Sequence, residues 1–205
     1  MARQNALRVM SYNCRGINII KTEYIKSLLS ICDILFIQEH WFCDAQIQSF
    51  SSLNSDFLSC GVCGFDSQSV LQGRPFGGCA ILWRKELRTD VRVIDTGSRR
   101  VCAISCISDC YKLLFINVYM PFEDGDDNIE EFYSQLSVIE NILELHAECL
   151  VVCGGDFNVE FSRDWTHTRL LNNFCERVSL QPASEHCCTV DYTLITRITS
   201  ICCMS

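Results

Sequence analysis

Apolar and polar positions along this chain fall into short blocks, and two periods recur in them. Leu7-Arg8-Val9-Met10-Ser11-Tyr12-Asn13 alternates imperfectly and predicts a first strand, closed by Cys14-Arg15-Gly16. Tyr24, Ile25, Leu28 and Leu29 recur at helical spacing, which predicts a helix over about 20–31. Asp33-Ile34-Leu35-Phe36-Ile37-Gln38-Glu39 is a second, buried strand that ends in an acid. A short helix over 45–50, a strand over 57–64 and a turn over 73–78 follow, and Cys79-Ala80-Ile81-Leu82-Trp83 is a good strand. Residues 91–94, 101–107 and 111–119 then alternate at short intervals, the spacing of an antiparallel meander. Asp127-Asn128-Ile129-Glu130 has the form of a capping box, with Asp127 at the N-cap. Ile129, Phe132, Tyr133, Leu136, Ile139 and Leu143 continue from it as a long helix whose apolar stripe faces a sheet.

The stretch around which the chain is organised comes next. Residues 149–154 predict a short buried strand, Gly154-Gly155 a sharp turn, and Asp156 and Asn158 are presented just beyond it. If that segment stays extended, the two side chains lean toward one point. A last helix is predicted over 166–177. With no internal repeat, low-complexity tract or linker, residues 1–205 read as one α/β domain.

Composition narrows this picture. At 205 residues, 48% apolar and 20% charged, the chain is long enough for a sizeable core. No apolar run approaches the roughly 20 residues of a membrane helix, and no signal-peptide core follows the N-terminus. The expectation is an intracellular protein, nuclear or cytoplasmic, not secreted. Of the 16 cysteines, Cys79, Cys102, Cys106, Cys149 and Cys153 lie in strand-like runs, where cysteine acts as a small hydrophobe. Cys60 and Cys63 have the spacing of a zinc half-site, but no second pair stands at a matching distance, and the adjacent pairs Cys187-Cys188 and Cys202-Cys203 suit tetrahedral ligation poorly. Reduced, buried thiols are expected. The net charge of −8 argues against a bulk electrostatic nucleic-acid binder, although Arg84, Lys85, Arg88, Arg92, Arg99 and Arg100 leave room for a local basic face.

Chemistry concentrates where the predicted strands end. Asn13 closes the first and Glu39 the second; Tyr119 stands just before Pro121, and Asp156 and Asn158 close the fourth. If these ends share a sheet rim, two carboxylates, two amides and a phenol converge. Hard oxygen ligands select Mg²⁺ or Mn²⁺. A metal so held beside an acid that activates water is the machinery of phosphodiester hydrolysis.

Five segments then match a known family in its own order: Ser11-Tyr12-Asn13-Cys14-Arg15-Gly16, Phe36-Ile37-Gln38-Glu39-His40-Trp41, Gly77-Gly78-Cys79-Ala80-Ile81, Asn117-Val118-Tyr119-Met120-Pro121 and Gly154-Gly155-Asp156-Phe157-Asn158. Over about residues 7–194 the chain resembles the endonuclease/exonuclease/phosphatase family, and within it the endonuclease domain that opens the polyprotein of non-LTR (LINE-like) retrotransposons. The resemblance implies a deoxyribonuclease I-like, four-layer α/β sandwich of two packed mixed sheets flanked by helices. It implies that Glu39 ligates the metal and that Asn13 assists there and holds the neighbouring acid. Tyr119 would contact the scissile phosphate, Asp156 would orient or deprotonate the attacking water, and Asn158 would position the phosphate. The implied function is Mg²⁺-dependent nicking of DNA, with a reverse transcriptase domain as companion in the parent polyprotein. Two alternatives stay open: a phosphomonoesterase or deadenylase of the same fold, and a catalytically dead nucleic-acid-binding remnant.

The likeness has departures. Phe122 stands where the family usually carries an Asn after the Tyr-x-Pro step. The family's closing strand and Ser-Asp-His do not arrive before Ser205, and Ile198 to Ser205 does not look like its next segment. The expectation is therefore a C-terminally truncated domain with its last strands missing, a sheet edge exposed and little or no activity. Ser184-Glu185-His186 is a candidate substitute, read more simply as a surface loop; His40, His146 and His167 have no better claim.

Overall fold

Strand β1 (Val9–Asn13) runs parallel to β2 (Ile34–Gln38), and the helix α1 (Ile19–Ile31) makes the crossover between them. Two antiparallel neighbours, β4 (Cys79–Arg84) and β3 (Phe57–Val62), complete a four-stranded sheet in the order β1-β2-β4-β3. The chain between β2 and β3 forms the short helix α2 (Asp44–Ile47) and a 3₁₀ turn over Gln48–Ser52. The second half repeats the plan. Strands β5 (Asp90–Ile94), β6 (Val101–Ile107) and β7 (Lys112–Tyr119) are the expected antiparallel meander. Helix α3 (Asp126–Leu145) then crosses over to β8 (Leu150–Asp156), which runs parallel to β7. After α4 (Thr166–Val178), β9 (Gln181–Pro182) and β10 (Leu194–Arg197) finish a six-stranded sheet in the order β5-β6-β7-β8-β10-β9. These elements come from a computed structural model that describes residues 7–65, 73, 75–87, 89–122, 126–160, 164–182 and 194–197.

Strand parity sets the layers. Ile34, Phe36, Ile81, Trp83, Ile104 and Phe115 meet between the two sheets. The opposite parity of the first sheet, with Leu35, Ile37, Ala80 and Leu82, packs on Ile25 and Leu29 of α1. On the far side, Leu114, Ile116, Val118, Val151 and Cys153 pack on Phe132, Leu136 and Ile139 of α3 and on Leu171 and Phe174 of α4. The result is a helix–sheet–sheet–helix sandwich of four layers.

The structure departs from the sequence reading in four places. Strand β8 does not stop before a Gly-Gly turn: it continues through Gly154 and Gly155 to Asp156, in register with Asn117, Val118 and Tyr119. Gly155 sits at φ +131°, and a Cβ there would lie 2.1 Å from the Val118 carbonyl oxygen. The glycine is thus needed for close strand approach and not for a turn. Helix α3 begins at Asp126, so Asp127 belongs to its first turn and is not the N-cap. Two strands that the sequence reading did not place follow: β10 pairs with β8 and is in turn paired with β9. The basic middle is not one face either. Arg84 donates to the carbonyls of Leu29 and Cys32, and Arg92 pairs with Asp90. Ser184-Glu185-His186, Cys187-Cys188, Cys202-Cys203 and the tail 198–205 lie outside the described residues.

Cys79, Cys102, Cys106, Cys149 and Cys153 are buried in the apolar layers, as their positions in strand-like runs predict. All the described cysteines are free thiols. Cys60 faces Cys102, their sulfurs 3.4 Å apart.

Candidate active site

The expected strand ends do not share one sheet rim. Asn13 and Glu39 end the parallel pair of the first sheet, and Tyr119 and Asp156 end the parallel pair of the second. The two pairs face each other across the sandwich, so a cleft forms where both sheets present the C-terminal ends of their parallel strand pairs. Residues 143 positions apart meet there: Asn13 Nδ2 donates to Asp156 Oδ2 at 2.6 Å and to Glu39 Oε1 at 2.7 Å.

Local backbone explains each placement. Asn13 is the last inward-facing residue of β1, and its Oδ1 accepts from the Arg15 amide at 3.1 Å, which turns the NH₂ toward the acids. Glu39 has the wrong parity, because Gln38 before it already points inward. Glu39 takes φ +53°, and this left-handed step swings its carboxylate round to the cleft. The strained residue is anchored through its backbone: the Glu39 amide donates to the Gly78 carbonyl at 2.9 Å, and its carbonyl accepts from the Gly16 amide at 2.7 Å. Asp156 is locked by the Met120 amide, which donates to its carbonyl at 2.8 Å.

Asn158 does not continue an extended segment. At φ +51°, its backbone amide donates to Asp156 Oδ1 at 3.1 Å and its side-chain amide to the Met120 carbonyl at 2.7 Å. It stands beside the other four, tying the loop after β8 to the end of β7. Tyr119 lies against Glu39. Burial, then the Glu39 charge, pushes its phenol up to about 12, and the Arg100 guanidinium 5.5 Å over its ring opposes this. At neutral pH the phenol is a proton donor.

Beneath these residues lies a buried polar layer to which the sequence reading assigned no role. Asn117 Oδ1 accepts from Gln38 Nε2 at 2.6 Å, and Asn117 Nδ2 donates to the carbonyls of Ile37 and Ala80 at 2.9 and 2.8 Å. Gln38 Nε2 also reaches Ser11 Oγ at 3.1 Å. One asparagine thereby pins β7 to β2 and β4 directly under the cleft. The signal for it is visible in retrospect: Asn117 is a polar residue at an inward position of a strand whose other inward residues include Phe115.

The arrangement suits a hard cation. Two carboxylates share one neutral amide, and among the described residues neither has an ion-pair partner. A divalent ion would offset that charge with oxygen ligands. A second set of groups with ligand-like spacing, His146, Glu148 and Cys149, stands at the other end of β8, and Glu148 there faces Lys112 at 3.7 Å. It is far from the cleft and mixes hard with soft donors. The remaining described histidines, His40 and His167, are buried. His40 is fully buried: its Nδ1 accepts from the Phe42 amide at 3.0 Å, and its Nε2 lies 3.1 Å from the Val62 carbonyl. His167 is buried and stacked on Phe132, with ring centroids 4.2 Å apart.

Comparison with known proteins bears on the family and the fold. A sequence model described as the endonuclease/exonuclease/phosphatase family matches residues 10–202. No curated protein matches in sequence. Among solved structures, a 3′ phosphatase from Neisseria bound to a product DNA hairpin superposes with a TM-score of 0.67 at 13% identity, covering 93% of this chain and 86% of that one. The endonuclease domain of TRAS1, a telomere-specific non-LTR retrotransposon, gives 0.64 at 13% identity over 93% and 83%. A mannosyl-6-phosphatase from Bacteroides thetaiotaomicron gives 0.62 at 17% identity over 95% and 86%. At such identities the likeness is one of fold.

Proposed function

The chain belongs to the endonuclease/exonuclease/phosphatase family, and from that premise we propose that it is a Mg²⁺- or Mn²⁺-dependent phosphodiesterase that nicks DNA, an endonuclease domain of retrotransposon type. The observation that carries this reading is the single amide of Asn13 bonded to both Glu39 and Asp156. It supports the reading by holding the two carboxylates together: Glu39 would bind the metal and Asp156 would activate the water. The wording of the Asn13 and Glu39 segments favours the retrotransposon enzymes over phosphomonoesterases and deadenylases of the same fold, and the parent polyprotein would add a reverse transcriptase.

Glu39, with Asn13 beside it, would hold the ion, which supplies charge neutralisation at the phosphoryl oxygens. The chain's own groups do the rest. Asp156, fixed by the Asn13 amide and the Asn158 backbone, takes the proton of the attacking water. Tyr119 donates its phenolic hydrogen to a phosphoryl oxygen as negative charge builds there. Asn158 holds the Asp156 loop through its bonds to Asp156 and Met120 and would position the phosphate.

The test is incubation of supercoiled plasmid with the purified chain in Mg²⁺, beside EDTA and Glu39→Ala controls. Nicking that needs both Mg²⁺ and Glu39 supports the proposal. Nicking that survives Glu39→Ala rules it out, and folded protein that never nicks but binds the plasmid marks a nucleic-acid-binding remnant.

A further inference from the structure

Two thiols from different sheets meet across the interior. Cys60 stands on β3 in the first sheet and Cys102 on β6 in the second, 42 positions apart, with their sulfurs 3.4 Å from each other. Parity brings them together: Cys60 and Val62 of β3 pack into the layer between the sheets, as Cys102, Ile104 and Cys106 of β6 do. The backbones of the two strands approach within 8 Å. The residues differ in access, since Cys102 is buried and Cys60 is partly exposed, and both line one groove of about 560 Å³. The Cys60-x-x-Cys63 spacing suggests another pairing, but the Cys63 sulfur accepts from the Phe65 amide at 3.3 Å. The sulfur that Cys60 meets belongs to the facing sheet. A disulfide spans about 2.05 Å between sulfurs, so this pair has only about 1.4 Å left to close.

We propose that Cys60 and Cys102 form a site of oxidative modification, at which hydrogen peroxide creates a disulfide that joins the two sheets covalently. The inference needs no metal or substrate and stands apart from the phosphodiesterase reading. In the first step the more accessible Cys60 sulfur attacks a peroxide oxygen. An S–O bond forms, the O–O bond breaks, and one water leaves as Cys60 becomes a sulfenic acid. In the second step the Cys102 sulfur attacks the Cys60 sulfur. An S–S bond forms, the S–O bond breaks, and the hydroxide departs with the Cys102 proton as a second water. Two thiols have then given two electrons to one peroxide. The Cys60 thiol and then burial raise the Cys102 pKa above its ordinary range, which makes Cys102 the resolving partner and not the first to react. The new bond ties β3 to β6, so the unfolded chain retains a closed loop and loses part of its conformational freedom.

The experiment exposes the fully reduced chain to a small excess of hydrogen peroxide and quenches with catalase. The protein is then unfolded, its remaining thiols are alkylated, and its peptides are mapped by mass spectrometry. Wild type, Cys60→Ser and Cys102→Ala are compared, with circular dichroism of the reduced forms to establish that each is folded. The expected result is a Cys60–Cys102 cross-link in wild type, none in either variant, and a Cys60 sulfenic acid trapped by dimedone in Cys102→Ala. Urea melts of oxidised wild type should show the equilibrium shifted about 100-fold toward the folded state. Dithiothreitol should reverse that shift, and Cys60→Ser should lack it. If Cys102→Ala does not fold, wild type and the partly exposed position in Cys60→Ser decide the matter by themselves. Recovery of both thiols alkylated after peroxide, or of Cys60 joined to Cys63 or Cys79, overturns the pairing. A Cys60–Cys102 bond that leaves the urea midpoint unchanged overturns its role in joining the sheets.

Discussion

Asn13 uses one nitrogen to hold two acids, and neighbouring residues are fitted to that arrangement. Glu39 accepts a left-handed backbone to reach it, a conformation that costs on the order of 1–3 kcal/mol for a residue with a side chain. Tyr119 faces Glu39 with its phenol pushed up to about 12, so it stays protonated across the working range. We expect Tyr119→Phe to lower kcat about 100-fold while leaving DNA affinity in EDTA near wild type. The wild-type rate should show no phenol-linked fall below about pH 10, and an alkaline limb near pH 9 that vanishes in the variant would contradict the assignment. His40 makes a different prediction. Burial lowers it from 6.5 to about 4, so it is neutral when folded. Below pH 6.5 the unfolded chain takes up a proton that the folded chain refuses. The stability this neutral ring contributes is complete above pH 6.5 and is lost as pH falls toward 4, by up to roughly 3 kcal/mol. Urea melts at pH 7 and pH 4.5 should show that loss in wild type and a smaller one in His40→Gln.

At the scale of the element, the parallel pairs matter most. In β7, alternate residues serve two masters: Leu114, Ile116 and Val118 face the helices, while Phe115, Asn117 and Tyr119 face the other sheet. Replacing Asn117 by Val would strand the Ile37 and Ala80 carbonyls and the Gln38 amide. The expected cost is about 2–4 kcal/mol, with a lower melting temperature and reduced nicking together; a variant as stable as wild type would mean that water replaces the amide. This layer also marks where sequence reading stopped. Alternation and helical spacing located β1, β2, β4 to β8 and the long helices, because burial of one face writes a period into the residues. The polar strand ends Asn13, Glu39, Tyr119 and Asp156 were legible for the same reason, as polar groups placed where apolar runs stop. Gly154-Gly155 misled, since a pair of glycines looks the same whether it makes a turn or admits a neighbouring backbone. The left-handed step at Glu39 was illegible, because nothing in a glutamate announces a positive φ. That the four strand ends come from two sheets was equally hidden, since alternation says which face is buried but not against what.

At the scale of the molecule, the first sheet is built wholly from residues before Lys85 and the second wholly from residues after Leu87. Each half carries half of the cleft: Asn13 and Glu39 in one, Tyr119 and Asp156 in the other. A chain divided between Leu87 and Asp90 should therefore give two fragments that are inert alone and recover Mg²⁺-dependent nicking when co-expressed. A single fragment that nicks by itself would show that the cleft is not shared. The inter-sheet layer of Ile34, Phe36, Ile81, Trp83, Ile104 and Phe115 is the surface that would rejoin them.

That division has a consequence during synthesis. The first sheet can be complete when Arg84 leaves the ribosome, yet its inner face must wait for a cover that is still being made. At ordinary elongation rates the remaining strands take roughly ten seconds to appear. Through that interval the nascent chain displays Phe36, Ile81 and Trp83 to solvent. It also carries Glu39 without Asp156, so the cleft proposed for phosphodiester cleavage is not assembled on a polypeptide still attached to its own message.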